Sequence, residues 1–259
     1  MKILYTQTIW VPTEELFQKN MDSCISLVEY LKEYPGNDIE FLFCGWTHKN
    51  EYFDQITSFI HENFKGYNFN IVPYARNFGK AYIVNHSVYD KEFDYLFIQD
   101  SDMQLDINCK DMFGQLLNCV EEVNRHTKKP FGFIAPMQKV FNCHIDCIYE
   151  NIFHTSFGRF MYPNHYGGIA GGSLFISKEC WNINKGYRQM GVCYGEDAWF
   201  LIDTFTNGMS YQVAESIWVN HPLETNKVYH AWKVNQCQNE QLPFEESMNK
   251  TEDYWKNLS

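Results

Sequence analysis

The fold class of this 259-residue chain is indicated by one stretch, Phe93-Asp-Tyr-Leu-Phe-Ile-Gln-Asp-Ser-Asp-Met103. Five of the six residues from Phe93 to Ile98 are apolar or aromatic, and two carboxylates, Asp100 and Asp102, follow closely. A short apolar run of this kind predicts a strand that is covered on both faces in a parallel sheet. Open α/β sheets bind ligands at the carboxyl ends of their strands, so both carboxylates are expected at a ligand-binding edge.

The spacing of Asp100 and Asp102 is suited to a metal ion. In an extended segment, residues two apart point to the same side, so both carboxylates can face one cation. Oxygen ligands around a hard ion with open positions for phosphate indicate Mg²⁺ or Mn²⁺ holding a nucleotide. The tripeptide alone leaves a second interpretation open, a solvated loop after a strand, because Asp-x-Asp also occurs in turns and helix caps.

Composition narrows the class of protein. The chain is 45% hydrophobic, 17% aromatic and 20% charged, which predicts a globular protein. Its formal net charge of −11 disfavours a broad grip on nucleic acid or anionic membrane. The first residues lack a signal peptide, and no apolar run approaches the roughly 18 residues of a membrane span. Nine cysteines without such a signal indicate reduced thiols and a cytoplasmic location.

Strands and helices alternate through the first half of the chain, which predicts right-handed βαβ units and a parallel sheet. After Pro136 the pattern is irregular up to residue 166, and we expect a lid or acceptor loop there with a helix near 148–154. No repeat or linker is visible, so a single domain over 1–259 is expected. The predicted strands are 2–8, 39–44, 69–72, 93–99, 130–135, 171–176 and 211–220. The predicted helices follow Thr13 and cover 52–64, 79–88, 108–125, a segment from 178, and 195–205.

Two glycine-containing stretches have the properties of a nucleotide site. In Tyr74-Ala-Arg-Asn-Phe-Gly-Lys80, a glycine and two cations precede free helix N–H groups, which suits a diphosphate or a base edge. In Gly167-Gly-Ile-Ala-Gly-Gly-Ser173, four glycines leave room for a ligand against the backbone. The other interpretations are a loop with solvated cations and a flexible hinge.

Further carboxylates and a histidine follow later in the sequence. Glu196 and Asp197 begin a helix, where they either cap it or supply a general base for an acceptor hydroxyl. His221, at a strand end, is placed to be a third metal ligand. The pair Cys143 and Cys147 with an intervening His lacks a second ligand pair, so structural zinc is disfavoured.

Taken in order, these motifs resemble GT-A glycosyltransferases, particularly the family 2 type and the related galactosyl- and N-acetylgalactosaminyltransferases. The resemblance spans about residues 2–222. Its matching residues are Ala75-Arg-Asn-Phe-Gly-Lys-Ala81 with Asn85, Gln99-Asp-Ser-Asp102, Gly171-Gly-Ser-Leu-Phe-Ile-Ser-Lys-Glu-Cys-Trp181, Asn184-Lys-Gly186, Gly195-Glu-Asp197 and His221-Pro222.

The resemblance implies an α/β fold of GT-A type, with a Rossmann-like, mostly parallel sheet flanked by helices. Residues 1–103 are then the nucleotide-sugar-binding half and 104–259 the acceptor and catalytic half of one domain. It implies a nucleoside diphosphate sugar as donor, with a UDP-sugar as the leading expectation, and Mn²⁺ or Mg²⁺ as cofactor. Residues 44–48, Cys-Gly-Trp-Thr-His, replace the family's Asp-Asp pair, so the base is expected to stack on Trp46 or to contact Thr47.

Roles carry over from the family position by position. Asp102 is expected to bind the metal, Asp100 the metal or the donor's ribose or sugar, and His221 to complete the metal shell. Asp197 is expected to be the catalytic base, and Glu196 to orient acceptor or donor. The expected donor-binding residues are Thr6, Arg76, Asn77, Gly79, Lys80, Asp100, Gly171 and Gly172.

The leading hypothesis is an inverting transfer to an acceptor hydroxyl, most directly that of a saccharide. A hydroxymethylated base in DNA is the alternative acceptor, stacked on aromatic residues of the 162–181 region, with phosphates meeting Arg159, Lys185 and Arg188. A nucleotidyltransferase would need a basic, Gly-rich motif near the N-terminus, and residues 6–10 do not supply one. A non-catalytic binding protein would not need a base beside the metal ligands.

Overall fold

The computed structural model describes residues 1–36, 38–139, 149–163, 171–189, 196–222 and 246. Within these ranges the fold is a ten-stranded sheet with helices on both faces. The strands are β1 (Ile3–Val11), β2 (Ile39–Thr47), β3 (Asn68–Pro73), β4 (Tyr95–Gln99), β5 (Gln104–Leu105), β6 (Phe131–Lys139), β7 (Tyr149–Thr155), β8 (Gly158–Pro163), β9 (Ser173–Ser177) and β10 (Ser210–Asn220). The helices are α1 (Glu14–Glu33), α2 (Asn50–Asn63), α3 (Gly79–Val88), α4 (Met112–Thr127), α5 (Lys178–Asn184) and α6 (Glu196–Thr206).

The sheet has the order β3-β2-β1-β4-β9-β6-β10-β8-β7, and β5 pairs with β10. Strands β1 to β4 are parallel to one another, as βαβ units require. Strand β9 is antiparallel to both β4 and β6, β10 is parallel to β6, and β5 and β8 are antiparallel to β10. Among the described strands only β5, β8 and β9 therefore oppose the common direction, which confirms the predicted α/β fold with a mostly parallel sheet.

Both faces of the sheet are covered, so strand residues alternate between two apolar cores. In β2, Phe41 and Phe43 point into one core while Leu42 points into the other, as the two-residue period of a strand requires. Helices α1, α2 and α4 cover the first face, and α3, α5 and α6 cover the second. Helix α1 begins at the predicted N-cap, where the Thr13 hydroxyl accepts a hydrogen bond from the Leu16 N–H. Among the described residues no helix is long and apolar enough to cross a membrane.

Two sequence-based predictions about secondary structure were wrong. The segment predicted as a helix near 148–154 is strand β7, which forms an antiparallel hairpin with β8. The ring of Phe153 stacks on Phe160 across this hairpin, with 5.7 Å between ring centroids, and this cross-strand contact favours a strand over a helix. Strand β1 was expected to end at Thr8 but continues to Val11, paired with β2 along its whole length.

Candidate active site

The Asp100–Met103 segment lies at the carboxyl edge of the sheet, as predicted. Strand β4 ends at Gln99, and Asp100 follows directly. The Asp100 N–H donates to the Gly172 carbonyl at 2.8 Å, and the Met103 N–H closes the turn on the Asp100 carbonyl at 3.2 Å. The end of β4 is thereby joined to the start of the β9 segment, which brings the carboxylates beside the second glycine pair.

Lys80 connects the predicted site residues with one another. It lies in the first turn of α3, and its Nζ is 2.7 Å from Asp100 Oδ1 and 3.7 Å from Glu196 Oε1. The same Nζ donates to the Gly171 carbonyl at 3.0 Å. Because these residues come from four separate parts of the sequence, one largely buried ammonium group joins α3, the end of β4, the segment before β9 and the start of α6.

Backbone N–H groups hold Asp197 in place. Its Oδ2 accepts from the Gly171 N–H at 3.0 Å, and its Oδ1 accepts from the Ala198 N–H at 2.8 Å. A Cβ added at Gly171 would lie 2.2 Å from the Asp197 Cβ, so a larger residue would displace the carboxylate. Glycine at position 171 is therefore required by the approach of α6.

The charged groups shift one another's pKa values. Burial raises the pKa of the Asp100 carboxyl, Lys80 lowers it in part, and Asp102 raises it again. The pKa of Glu196 is also raised by burial, with Lys80 opposing and Asp197 and Asp100 reinforcing the shift. Burial alone would lower the pKa of Lys80, but the surrounding acids raise it well above its usual value. Three carboxylates, those of Asp100, Glu196 and Asp197, thus interact with one lysine in this part of the described structure.

This excess of acidic oxygen atoms suits a hard divalent cation. Within the described ranges, no three His, Cys, Asp or Glu side chains already converge to hold one. Asp100 is instead turned toward Lys80, and the Nδ1 of His221 lies 2.9 Å from the Pro222 carbonyl. The pairing of Asn220 with Gln104 carries His221 to the side of the Asp100–Met103 segment, so the predicted ligands are neighbours in the fold. Carboxylate oxygen atoms are ligands that Mn²⁺ and Mg²⁺ prefer, so Asp100, Asp102 and His221 stay the predicted metal ligands.

The predicted donor-binding residues before α3 are partly enclosed. The Asn77 side chain is buried, and its Oδ1 accepts from the Gly79 N–H at 3.2 Å. Its Nδ2 is buried without a hydrogen-bond partner among the described residues, which leaves a donor available to a ligand. Gly79 has a φ of +78°, a conformation that glycine adopts most easily. Arg76 is half-buried in the same segment.

Two other predicted donor-binding residues lie deeper. Thr6 is fully buried inside β1, paired with Leu42 and Ile98, five positions before the strand ends. Thr6 was expected after the first strand and lies within it, and its contact with the donor stays a prediction. Gly172 is packed so closely that an added Cβ would lie 2.9 Å from Met103 Sδ. Its carbonyl is already bonded to the Asp100 N–H, so it shapes the edge through its backbone.

Sequence reasoning missed a polar network behind the Asp100–Met103 segment. From α1, the Asn20 Nδ2 donates to the Ser101 carbonyl at 3.1 Å, and the Ser23 hydroxyl donates to the Met103 carbonyl. The Gln99 Nε2 also donates to the Met103 carbonyl, at 2.9 Å. All three side chains are fully buried. The available signal was a polar residue every three positions, at 20, 23 and 26, on an otherwise apolar helix face.

The ends of β1 and β2 offer aromatic surface at the same edge. Trp10 and Trp46 are partners in the register of these strands, and both are half-buried. Stacking of a base on Trp46 stays a prediction. Several other predictions concern residues outside the described ranges, namely the 140–148 part of the proposed lid with Cys143 and Cys147, the glycines at 167 and 168, Gly195 and the tail after residue 222.

No protein-family model and no curated protein matches this sequence. Solved structures do resemble it. TarS 1–349 of S. aureus in complex with UDP-GlcNAc gives a TM-score of 0.60 at 11% identity, covering 98% of this chain and 70% of that one. The mannosyltransferase PcManGT of Pyrobaculum calidifontis, in complex with GDP-Man and Mn²⁺, gives 0.61 at 14% identity, covering 92% and 61%.

Both of these structures have the GT-A fold. This chain spans less than two thirds of the mannosyltransferase, and the identities are low enough that the comparison concerns architecture. The strand order, the helices on both faces and the acidic carboxyl edge agree with the resemblance in the sequence. The chain has the GT-A fold.

Proposed function

We propose that this chain is an inverting, metal-dependent glycosyltransferase. It moves a sugar from a nucleoside diphosphate sugar, with a UDP-sugar as the expected donor, to a hydroxyl group of a saccharide. The observation that carries the proposal is the meeting of Lys80, Asp100, Glu196 and Asp197 at the carboxyl edge of a GT-A fold. The nucleotide sugars and Mn²⁺ in the similar structures support it.

The two proposed halves each contribute to this site. Lys80 and Asp100 lie within residues 1–103, and Glu196 and Asp197 lie within 104–259. The first half would hold the nucleotide and the second the acceptor. Asn77 and Arg76 border the start of α3, where free helix N–H groups favour phosphate.

Asp197 is the proposed base. Its carboxylate takes the proton of the acceptor hydroxyl, whose oxygen attacks the anomeric carbon and forms the new C–O bond. The bond to the diphosphate breaks on the opposite face, and the nucleoside diphosphate leaves with the electron pair. A single displacement of this kind inverts the anomeric centre. Glu196, next to Asp197 and 3.7 Å from Lys80, orients the reacting groups.

Asp102, Asp100 and His221 are the residues that would hold Mn²⁺ or Mg²⁺. Such an ion neutralises the charge that develops on the leaving diphosphate. Lys80 can release Asp100 for this purpose because its Nζ also has Glu196 and the Gly171 carbonyl as partners.

The described surface favours a saccharide over DNA as acceptor. Arg159 forms a two-bond ion pair with Glu215, and Arg188 forms one with Asp203. These two arginines were candidates for phosphate contacts, and each already has a carboxylate partner. A neutral acceptor requires no such contacts and agrees with the net charge of −11.

The donor is tested by the thermal stability of the purified protein with a panel of UDP- and GDP-sugars, each with and without Mn²⁺. A donor at 100 times its Kd stabilises the folded state by about 2.7 kcal/mol, which appears as a raised melting temperature. Asp102→Asn should remove the Mn²⁺-dependent part of the shift. Asp106→Asn should retain it, because Asp106 lies four positions further along the chain and pairs with Lys139 and Trp218. A panel without any shift would contradict the proposal.

A further inference from the structure

Tyr187 has a fixed position next to the proposed site. Its ring packs edge-on against Trp181 and Phe200, with centroid distances of 5.5 and 5.4 Å. It follows Gly186, whose φ is +74°. Only 2% of the residue is exposed. The ring is therefore held by packing on its sides, and only the hydroxyl end remains to be explained.

Asn85 of α3 fixes the backbone of Tyr187. Its Oδ1 accepts from the Tyr187 N–H at 2.9 Å, and its Nδ2 donates to the Tyr187 carbonyl at 2.8 Å. A Cβ at Gly186 would lie 2.4 Å from the same Oδ1, so the clamp requires glycine there. Two hydrogen bonds across 102 positions of sequence hold the residue that presents this ring. Such rigid support is typical of a residue that contacts a ligand.

The Tyr187 hydroxyl is buried without a hydrogen-bond partner in the described part of the chain. The Nζ of Lys80 lies 5.6 Å from the ring centroid, and the residue interacts electrostatically with Asp100, Glu196 and Asp197. Burial raises the pKa of the hydroxyl, so it keeps its proton and remains a donor. A buried polar group without a partner is unfavourable, so a ligand atom is expected to satisfy it.

We propose that the Tyr187 hydroxyl donates a hydrogen bond to a hydroxyl oxygen of the donor's sugar, and that it thereby helps to select that sugar. This inference rests on the proposed function. A phosphate oxygen would be a poorer partner because the three carboxylates that interact electrostatically with Tyr187 outnumber the one lysine and repel negative charge. A sugar hydroxyl is neutral and also offers a proton of its own to those carboxylates.

The test is Tyr187→Phe, with binding measured by calorimetry in Mn²⁺ for UDP, UDP-GlcNAc, UDP-glucose, UDP-galactose and GDP-mannose. The variant should bind the preferred sugar nucleotide about tenfold more weakly and the matching free nucleoside diphosphate unchanged. The free variant should melt at the same or a higher temperature, because the lost hydroxyl has no partner. Tyr95→Phe, at the opposite end of β4, is the matched control and should bind as wild type does.

The outcomes separate the two proposals. Equal affinity of Tyr187→Phe and wild type for the sugar nucleotide would overturn the inference and leave the proposed function standing. A melting temperature several degrees lower would show that the hydroxyl has a structural partner, which also overturns it. A wild-type protein that binds none of these nucleotides would contradict the proposed function and the inference together.

Discussion

The two sides of the Asp100–Met103 segment are built differently. Behind it, buried amide and hydroxyl groups of Asn20, Ser23 and Gln99 donate to the segment's carbonyl groups, without any charge. In front of it, Lys80 and the acids share few hydrogen bonds and shift one another's pKa values. Neutral groups whose donors are satisfied hold a backbone in place. Several like charges close together, by contrast, are stabilised when a further ion or ligand binds. The back therefore positions the segment, and the front is where chemistry is expected.

The largest effect on activity is expected from Asp197→Asn, in the charged group of residues in front of the Asp100–Met103 segment. If Asp197 is the base, turnover falls by about 10²–10⁴-fold while nucleotide binding persists, because the amide keeps an oxygen for one of the two backbone N–H groups but cannot take the proton. Asp203→Asn is the control on the same helix, since Asp203 pairs with the exposed Arg188. Transfer rates and the anomeric signal of the product by NMR are the measurements. Normal turnover of the variant, or a retained anomer, would contradict the proposed base.

The next effect should come from removing the central cation with Lys80→Met. Asp100 and Glu196, both partly buried, would then lose their shared partner, at a cost of up to about 3 kcal/mol in the free energy of unfolding. Lys178→Met is the control, because Lys178 forms an exposed ion pair with Glu92. If that variant lost as much stability as Lys80→Met, the central role of Lys80 would be refuted.

The loss in Lys80→Met should depend on pH. Burial already raises the folded-state pKa of Asp100 and Glu196, and Lys80 opposes the shift, so its removal raises both values further. A carboxyl whose pKa is higher in the folded state binds its proton more tightly there, so stability falls as pH rises from about 4 through the raised value. Melting temperatures should therefore differ most at neutral pH and converge on acidification. A difference that is independent of pH would contradict this account.

The smallest effect is expected from Asn20→Ala, in the neutral polar network behind the Asp100–Met103 segment. It removes the hydrogen bond to the Ser101 carbonyl and should lower the free energy of unfolding by about 1–2 kcal/mol. Mn²⁺ binding should weaken with it, because the segment that carries Asp102 loses support. Asn63→Ala is the control, since Asn63 donates to the Phe59 carbonyl on the surface. Loss of stability with unchanged Mn²⁺ affinity would show that the back does not position the metal ligands.

The sequence alone determined the local parts of this description. The apolar run before Asp100 predicted a buried strand, because the apolar character of a strand can be read from a few neighbouring residues. The carboxylates were expected at its carboxyl end, because they follow the run directly in the sequence. The Thr13 N-cap and the alternation of strands and helices were predicted on the same basis. The family resemblance then named the residues that the structure brings together around Lys80. The segment predicted as a helix near 148–154 was misjudged because the pattern there is irregular, and its pairing with β8 makes it a strand.

Only the tertiary structure decided which partners those residues have. Nothing local indicates that Asn20 bonds to Ser101, that Asn85 clamps Tyr187, or that Gly171 must be small to admit Asp197. Each of these contacts joins residues from distant parts of the chain, and each depends on how helices pack across the sheet. Side-chain identity fixed the chemistry available at this edge, and packing over long sequence separations decided which groups are satisfied and which are left for a ligand.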